Sequence, residues 1–303
     1  MNYAGIDIGS RTIEVVVIND SGDIICSLES DTGFDPIAQS LKLLDAIKNK
    51  GVRYEFIMAT GYGRTLFEVA CQDLANKESD NISGISSVIE IGTITEIKAH
   101  ARGVTAFFPD AATILDIGGQ DSKAIALNEN GRVKKFEMND RCAAGTGKFL
   151  EIMSRTLGFT IDDFGKEALL AQNDLTINSM CTVFAESEVT SLIAKGSDRR
   201  DIAKGLHISV MKRAASMISR VRSIESSLIR QNKITEQGVE TNPKDSFIVF
   251  TGGVAKNECM VKLLSEKLGC NVLVPDNPQM IGALGAALIA FEQQACKVQK
   301  VYA

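Results

Sequence analysis

The chain contains the same short pattern twice, first as Asp7-Ile8-Gly9-Ser10 and later as Asp116-Ile117-Gly118-Gly119. Each copy ends a mainly apolar run and passes through glycine into a second such run, which is typical of a strand, a tight turn and another strand. A third short run follows in both places after a polar turn. Because the copies lie a domain's length apart, the repeat predicts two similar α/β lobes that face each other.

The two glycine turns are candidate phosphate-binding sites. Glycine has no side chain, so the backbone N–H groups of such a turn can approach phosphate oxygens closely. One or two carboxylates commonly hold Mg²⁺ through water beside a phosphate, which suits Asp7 and Asp116. Gly252-Gly253 follows a later apolar run and is expected to lie flat against adenine or ribose. A single Asp-x-Gly is explained as well by a plain turn, but the ordered set predicts a nucleotide site.

Other common nucleotide-binding motifs do not occur in the sequence. No G-x-G-x-x-G follows the first predicted strand, which argues against a Rossmann site, and no P-loop is present.

Two further stretches, 139–147 and 179–187, each place one cysteine just before a helical pattern, namely Cys142 and Cys181. A helix N-terminus favours thiolates and anionic clusters, because its N–H groups are free and its dipole end is positive. A cuboidal iron–sulfur cluster takes four thiolates. One chain supplies only two cysteines of this kind, whereas two chains together supply four. The sequence therefore suggests a metal site shared across a symmetric dimer. The other five cysteines are interpreted as small buried apolar residues: Cys26, Cys71, Cys259, Cys270 and Cys296.

The segment after Cys142 has two possible roles. It reads Ala144-Gly145-Thr146-Gly147-Lys148, which is either a plain helix cap or a set of N–H donors to a nucleotide. The second role would join the nucleotide site to Cys142 within a few residues. His100, in a predicted helix, is interpreted as a structural hydrogen-bonding residue rather than a catalytic base.

Composition excludes several classes of protein. The 303 residues are 45% hydrophobic and 23% charged, with a net charge of −5 and no basic patch, so a nucleic-acid partner is not expected. No apolar run reaches the ~20 residues that span a membrane, and the first residues lack the features of a signal peptide. The seven cysteines do not have the spacing of a disulfide framework, which indicates reduced thiols and a cytoplasmic protein.

Hydrophobic spacing predicts the remaining secondary structure. Helices are expected over 36–48, 96–107, 147–157, 162–171, 183–194, 198–229 and 257–268, with the last one opening at 278. Strands are expected over 3–8, 13–18, 24–28, 56–59, 113–117, 122–127, 133–138, 247–250 and 271–274. A polar loop is expected over 231–245.

In these motifs the chain resembles the ATP-dependent activators of 2-hydroxyacyl-CoA dehydratases. Three further stretches carry the same resemblance: Ala59-Thr60-Gly61-Tyr62-Gly63-Arg64, 96–103 and 181–189. These activators belong to the actin, Hsp70 and sugar-kinase superfamily, and the resemblance covers nearly the whole chain. It implies an α/β protein of two actin-like (RNase H-like) lobes with a nucleotide cleft between them. The implied lobes are 1–110 and 111–303, the second carrying the cluster cysteines, with the last helix packing back on the first.

The resemblance also implies a function. Family members are homodimers with one [4Fe–4S] cluster between subunits, here held by Cys142 and Cys181 of each chain. They use ATP, with Mg²⁺ bound through water by Asp7 and Asp116, to drive a low-potential electron into a partner dehydratase. A ferredoxin or flavodoxin is the expected electron donor. The same architecture serves benzoyl-CoA reductases and double-cubane cluster proteins, and a small-molecule kinase or a non-catalytic nucleotide-binding regulator are alternatives from other classes.

The candidate catalytic residues are Gln120, Asp7 and Asp116. We choose Gln120 as the residue that orients the hydrolytic water, because an amide can orient water without being a strong base. The family often has a lysine where this chain has Glu14, which leaves Ser10 and Thr12 as the side chains for phosphate in that turn. The expected nucleotide contacts are Ser10, Arg11, Thr12, Gly118, Gly119, Gln120, Ala144, Gly145, Thr146, Gly147, Lys148, Gly252, Gly253 and Gln279.

Overall fold

The computed structural model describes residues 1–77, 89–177, 181–232 and 247–301. Ser179, Met180 and most of the predicted loop 231–245 lie outside these ranges, while residues 231 and 232 belong to a helix. The chain divides into two compact units, one made of Met1–Pro109 with Gln279–Ala303 and the other of Asp110–Pro278.

Ten strands and nine α-helices occur in the described residues. The strands are β1 Tyr3–Ile8, β2 Thr12–Ile18, β3 Ile24–Asp31, β4 Phe56–Thr60, β5 Glu90–Thr93, β6 Thr113–Ile117, β7 Ser122–Leu127, β8 Val133–Asn139, β9 Phe247–Thr251 and β10 Asn271–Leu273. The helices are α1 Pro36–Asn49, α2 Arg64–Lys77, α3 Glu96–Phe107, α4 Gly147–Thr156, α5 Ile161–Leu169, α6 Thr182–Ala194, α7 Arg199–Asn232, α8 Glu258–Leu268 and α9 Ile281–Val301.

Each unit is built on a five-stranded sheet, and the two sheets have the same topology. The first has the order β3-β2-β1-β4-β5 and the second the order β8-β7-β6-β9-β10. In both, the first three strands pair antiparallel and the last two join in parallel. The sequence repeat is therefore a repeat of structure, which confirms the α/β fold of two actin-like lobes.

The first unit buries both faces of its sheet. One face packs against α1 and α2 through residues such as Ile6 and Ile57, and the other packs against α3 and α9 through residues such as Tyr3 and Met58. Glycine permits a very close approach on the second face. A Cβ atom on Gly5 would lie 1.9 Å from the carbonyl oxygen of Ala283. The start of α9 therefore lies directly on β1, beside Asp7.

The second unit has one large core. Helices α4 to α8 and one face of the sheet all contribute buried residues to it, and α7, the longest of the described helices, contributes the most. The predicted elements agree with the observed ones to within a few residues, with two omissions and one shift. Helix α2 and strand β5 were not predicted, and α9 begins at Ile281 rather than at Pro278. Pro278 instead accepts a hydrogen bond from the Gly252 N–H at 3.0 Å.

Among the described helices, none is both long enough and apolar enough to span a membrane.

Candidate functional site

The two repeated turns close in the same way. The Gly9 N–H donates to the Thr12 carbonyl at 3.0 Å, and the Gly118 N–H donates to the Asp121 carbonyl at 3.0 Å. A Cβ atom would clash in both places, lying 2.8 Å from Thr12 O at Gly9 and 2.8 Å from Asp121 Oδ1 at Gly118. The tips of the turns, Ser10-Arg11 and Gln120, are exposed. Each turn therefore presents its backbone and one or two polar side chains to solvent at the end of a buried strand.

Asp7 is buried at the carboxyl end of β1 and lies against two glycines. A Cβ atom on Gly61 would lie 2.4 Å from Asp7 Oδ1, and one on Gly282 would lie 1.9 Å from Asp7 Oδ2. The strands beside it place Glu14 and Thr60 in register with Asp7, and both are buried as well. The carboxylate is therefore fixed by close packing on backbone, which a larger residue at either glycine would displace.

Asp116 occupies the equivalent place on β6, but its surroundings are different. The Thr251 hydroxyl lies 3.0 Å from Asp116 Oδ1, and Lys123 Nζ lies 3.2 Å from Asp116 Oδ2. The same ammonium group lies 2.7 Å from Asp121 Oδ2. Lys123 pairs with Asp116 across the hairpin just as Glu14 pairs with Asp7. The two halves of the repeat therefore carry opposite charges at this position.

Gly252 has a backbone conformation that favours glycine, with φ of +82°. A Cβ atom there would lie 2.4 Å from the Ile117 carbonyl and 2.8 Å from Asp116 Oδ1. Gly253 starts a short 3-10 turn, Gly253–Lys256, where a side chain would meet nothing within 4 Å. Gln279, the last of the expected nucleotide contacts, donates from Nε2 to the Glu29 carboxylate.

The Cys142 segment forms a compact loop between β8 and α4. Asn139 Nδ2 donates to the carbonyls of Cys142 at 3.0 Å and Ala144 at 3.3 Å. The Thr146 hydroxyl donates to the Ala143 carbonyl at 2.6 Å, and Gly145 has φ of +96°. The loop is thus held to the end of β8 by one amide side chain and closed by its own hydrogen bonds.

The Cys142 loop and the Gly118-Gly119 turn are joined by backbone hydrogen bonds. The N–H groups of Gly147 and Lys148, in the first turn of α4, donate to the carbonyls of Gly118 at 2.9 Å and Gly119 at 2.8 Å. These two N–H groups are therefore used within the protein. They join the glycine turn directly to the start of α4.

Cys181 is the N-cap residue of α6, and its carbonyl accepts from the Ala185 N–H at 2.9 Å. Its side chain is exposed, and that of Cys142 is half-buried. Two apolar residues in the first turn of α6, Val183 and Phe184, are exposed by 66% and 67%. Both cysteines lie in the second unit.

The other cysteines fall into three environments. Burial raises the pKa of Cys71 to about 11 and the pKa of Cys259 to about 12, in agreement with the interpretation as buried apolar residues. Cys26 and Cys270 are half-buried and pack against the two cores. For Cys296 the interpretation was wrong, because that residue is exposed on α9.

His100 is buried on α3, with Nε2 3.9 Å from both Asp7 Oδ2 and Glu96 Oε1. The sequence interpretation did not connect it with Asp7, and it gave no role to Lys123, Asn139 or Gly282. Lys123 was detectable in principle, since it follows Asp116 at the same offset as Glu14 follows Asp7. Nothing in the sequence alone indicates that Gly282 lies against Asp7.

Two lobes of this topology, each with a buried aspartate at a glycine turn, define an ATPase of the actin-like fold. Residues 4–290 match the BadF/BadG/BcrA/BcrD ATPase family, and the chain belongs to that family. The resemblance stated from the sequence is confirmed.

The most similar relatives include activators of dehydratases. The activator of lactoyl-CoA dehydratase from Anaerotignum propionicum is 39% identical over 96% of this chain and 98% of its own length. The 2-hydroxyisocaproyl-CoA dehydratase activator of Clostridioides difficile is 36% identical over 97% of this chain and 96% of its own length. A solved structure of the activator of the 2-hydroxyisocaproyl-CoA dehydratase from Clostridium difficile with bound ADPNP superposes with a TM-score of 0.76. It is 35% identical and covers 99% of this chain and 97% of that one.

Proposed function

We propose that this chain is an ATP-dependent reductive activator. Two copies hold one [4Fe–4S] cluster through Cys142 and Cys181 of each chain, and ATP binding and hydrolysis drive the transfer of one electron to a partner 2-hydroxyacyl-CoA dehydratase. The observation that carries the proposal is the pair of backbone hydrogen bonds from Gly147 and Lys148 to the Gly118-Gly119 turn. They connect a candidate phosphate turn to a candidate ligand loop within one unit.

The two cysteines fit an iron–sulfur cluster by their surroundings. Both precede helices, α4 and α6, and neither is sealed in the core, in contrast to Cys71 and Cys259. Two accessible thiols per chain meet the requirement of four thiolates only when two chains combine. A cluster held there would supply a one-electron donor of low potential.

Exposed apolar side chains support the dimer. Phe136 and Met138 are 52% and 43% exposed on β8, ahead of Cys142, and Val183 and Phe184 are exposed on α6, after Cys181. A two-fold interface presents the same surface from each subunit, so each such residue can be covered by its equivalent region in the other copy. Large exposed apolar residues beside both candidate ligands are what such an interface would use.

In the proposed function, Asp7 and Asp116 would be the residues that hold Mg²⁺ through water, and the turns that begin at Gly9 and Gly118 would receive the phosphates. Lys123 neutralises charge at Asp116 and Asp121, so the carboxylates of the second unit are held together without mutual repulsion. Gln120, exposed at the tip of its turn, orients the hydrolytic water. The ATP and ADP states then differ in how the Gly118-Gly119 turn is held, and α4 follows that turn.

The electron balance requires an outside donor. The protein gives one electron to the dehydratase and regains one from a ferredoxin or a flavodoxin, while ATP is hydrolysed to ADP and phosphate. The alternative partners are a benzoyl-CoA reductase-like enzyme or a double-cubane cluster protein. We favour a dehydratase, because both relatives described above are activators of dehydratases.

The cluster is tested by iron analysis of protein purified without oxygen. The wild type should contain about four iron and four sulfide per dimer. Cys142→Ser and Cys181→Ser should lose iron and keep the dichroism of a folded α/β protein. Cys296→Ser, exposed, and Cys270→Ser, half-buried, are matched controls that should retain full iron. Full iron content in both ligand variants would contradict the assignment.

The activation function is tested with a purified dehydratase and a chemical reductant. Dehydration should require this protein and ATP together and should stop with ADP. Activation only of a reductase or a double-cubane protein would select an alternative partner. ATP turnover that depends on an added hydroxyl acceptor, with no bound iron, would favour a small-molecule kinase.

A further inference from the structure

Three side chains of the first unit converge on one point beside Asp7. His100 Nε2 lies 3.9 Å from Asp7 Oδ2 and 3.9 Å from Glu96 Oε1. One ligand atom from each of the three lies within 4.8 Å of the other two. Asp7 and His100 are buried, and Glu96 is half-buried. The sequence assigned no metal to His100 or Glu96.

The distances suit an ion better than direct hydrogen bonds. A separation of 3.9 Å exceeds that of a hydrogen bond between nitrogen and oxygen. Metal bonds to imidazole nitrogen and carboxylate oxygen are about 2.0 to 2.2 Å long. An ion can therefore lie between His100 and either carboxylate with only small side-chain adjustments.

A buried hydroxyl on the same face supports a bound group. Thr60 is in register with Asp7 on the neighbouring parallel strand, so the two side chains lie on the same face of the sheet. Thr60 Oγ1 is fully buried and has no hydrogen-bond partner among the residues that the structure describes. Such orphaned groups are rare, and an ion with its water is one way to satisfy them.

Glycine at position 282 is necessary for this convergence. A Cβ atom there would lie 1.9 Å from Asp7 Oδ2 and 3.1 Å from His100 Nε2. The first turn of α9 therefore admits the carboxylate and the imidazole together only because it carries no side chain at this point.

We propose that Asp7, Glu96 and His100 bind a divalent transition-metal ion such as Mn²⁺ in the absence of nucleotide. An imidazole with two carboxylates suits Mn²⁺ or a later transition metal, whereas Mg²⁺ prefers oxygen ligands alone. The site uses Asp7 Oδ2, while Asp7 Oδ1 faces Gly61. It therefore goes beyond the Mg²⁺-nucleotide role of Asp7 and does not depend on the cluster. The competing explanation is a direct ion pair of His100 with both carboxylates.

Mn²⁺ binding to the nucleotide-free, full-length protein tests the site. Loss of the free-ion EPR signal on titration should show one Mn²⁺ per chain that a comparable concentration of Mg²⁺ does not displace. Pulsed EPR should show coupling to a ¹⁴N nucleus. The chain has two histidines. His207 lies in the other unit, with its ring nitrogens 2.7 Å from Ala203 O and 3.0 Å from Asn257 Nδ2. Imidazole coupling would thus identify His100.

Variants separate a ligand role from a structural one. His100→Ala should remove the ¹⁴N coupling and weaken Mn²⁺ binding at least about tenfold. Glu96→Gln, at the more exposed edge of the site, should weaken it similarly without disturbing the core. Glu90→Gln is the control, since Glu90 pairs with Lys297 in the same unit, and binding should not change. No bound Mn²⁺ in the wild type, or bound Mn²⁺ without ¹⁴N coupling, would overturn the proposal and leave the ion-pair explanation.

Discussion

Lys123 Nζ lies 3.2 Å from Asp116 Oδ2, and the lysine side chain is only 1% exposed. The equivalent partner of Asp7 in the first unit is Glu14. The two halves therefore share their backbone structure but carry opposite charges at this position. A buried ammonium needs its carboxylate partners, and each carboxylate is stabilised by the ammonium in return. This pair is therefore central both to the stability of the second unit and to the charge at the proposed Mg²⁺ site.

Replacement of Lys123 should destabilise the protein. Lys123→Met keeps the length of the side chain but leaves two carboxylates without the ammonium group, and breaking such a buried pair costs about 3 to 5 kcal/mol. Urea unfolding of the wild type, of Lys123→Met and of a control variant measures the loss in the free energy of unfolding. Lys204→Met is the control, because Lys204 pairs with the exposed Asp174 and should contribute less than about 1 kcal/mol. Equal losses from both substitutions would contradict the importance of the buried pair.

The two strand-ending aspartates should be needed for ATP turnover but not for iron. Asp7→Asn and Asp116→Asn remove charge that holds Mg²⁺, so each should lower Mg²⁺-ATP hydrolysis at least about tenfold. Iron content should stay at the wild-type value. Asp162→Asn, on the exposed first turn of α5, serves as the control. Unchanged turnover in both site variants would place the nucleotide site elsewhere.

Gln120 should act on hydrolysis rather than on binding. Gln120→Ala removes the amide that orients water, so the hydrolysis rate should fall at least about tenfold while the affinity for ADP stays close to that of the wild type. Single-turnover hydrolysis and ADP titration measure the two quantities separately. A parallel loss of both would make Gln120 a binding residue instead.

A buried histidine should make stability depend on pH. Asn257 Oδ1 accepts the Met260 N–H at 3.1 Å, so its Nδ2 donates to His207 Nε2 at 3.0 Å. His207 Nδ1 then carries the proton and donates to the Ala203 carbonyl. Burial lowers the pKa of His207 from 6.5 to about 4, which keeps the ring neutral at pH 7.

Between pH 6.5 and about 4 the unfolded chain binds a proton at this position and the folded chain does not. The free energy of unfolding should therefore fall by a few kcal/mol as the pH decreases through this window. His207→Gln should show a smaller decrease over the same window in urea unfolding. Parallel pH profiles for the two proteins would assign the acid sensitivity to other groups.

The repeat and the strand-ending glycines were sufficient to predict two similar α/β lobes, and the resemblance to a known family supplied their actin-like class. The hydrogen-bonding and steric demands of the glycines are local, as the identical closure of the Gly9 and Gly118 turns illustrates. Helix α2 was missed because it shows no clear apolar spacing, and β5 was missed because its residues Glu90–Thr93 are partly exposed and few.

Tertiary relations within the site could not be predicted. The bonds from Gly147 and Lys148 to the Gly118-Gly119 turn join segments separated along the chain, and the approach of Gly282 to Asp7 joins its two distant ends. Such contacts depend on how helices dock on a sheet, which periodicity does not specify. The sequence could identify Cys142 and Asp116 as candidates, but not the backbone connection between their neighbours.

That connection makes nucleotide control of Cys142 the central claim. Thr146 closes the Cys142 loop through its hydroxyl bond to Ala143. Thr146→Val keeps the shape and removes that bond, so the loop should follow the glycine turn less closely while the cluster remains assembled. Ser154→Ala, which removes a hydroxyl bond to the Glu151 carbonyl further along α4, is the matched control.

The most direct test is the rate at which an iron chelator removes iron from the reduced protein, measured with ATP and with ADP. We expect faster chelation with ATP than with ADP in the wild type and in Ser154→Ala, and a smaller difference in Thr146→Val. Equal chelation rates with ATP and ADP in the wild-type protein would contradict nucleotide control of the cluster.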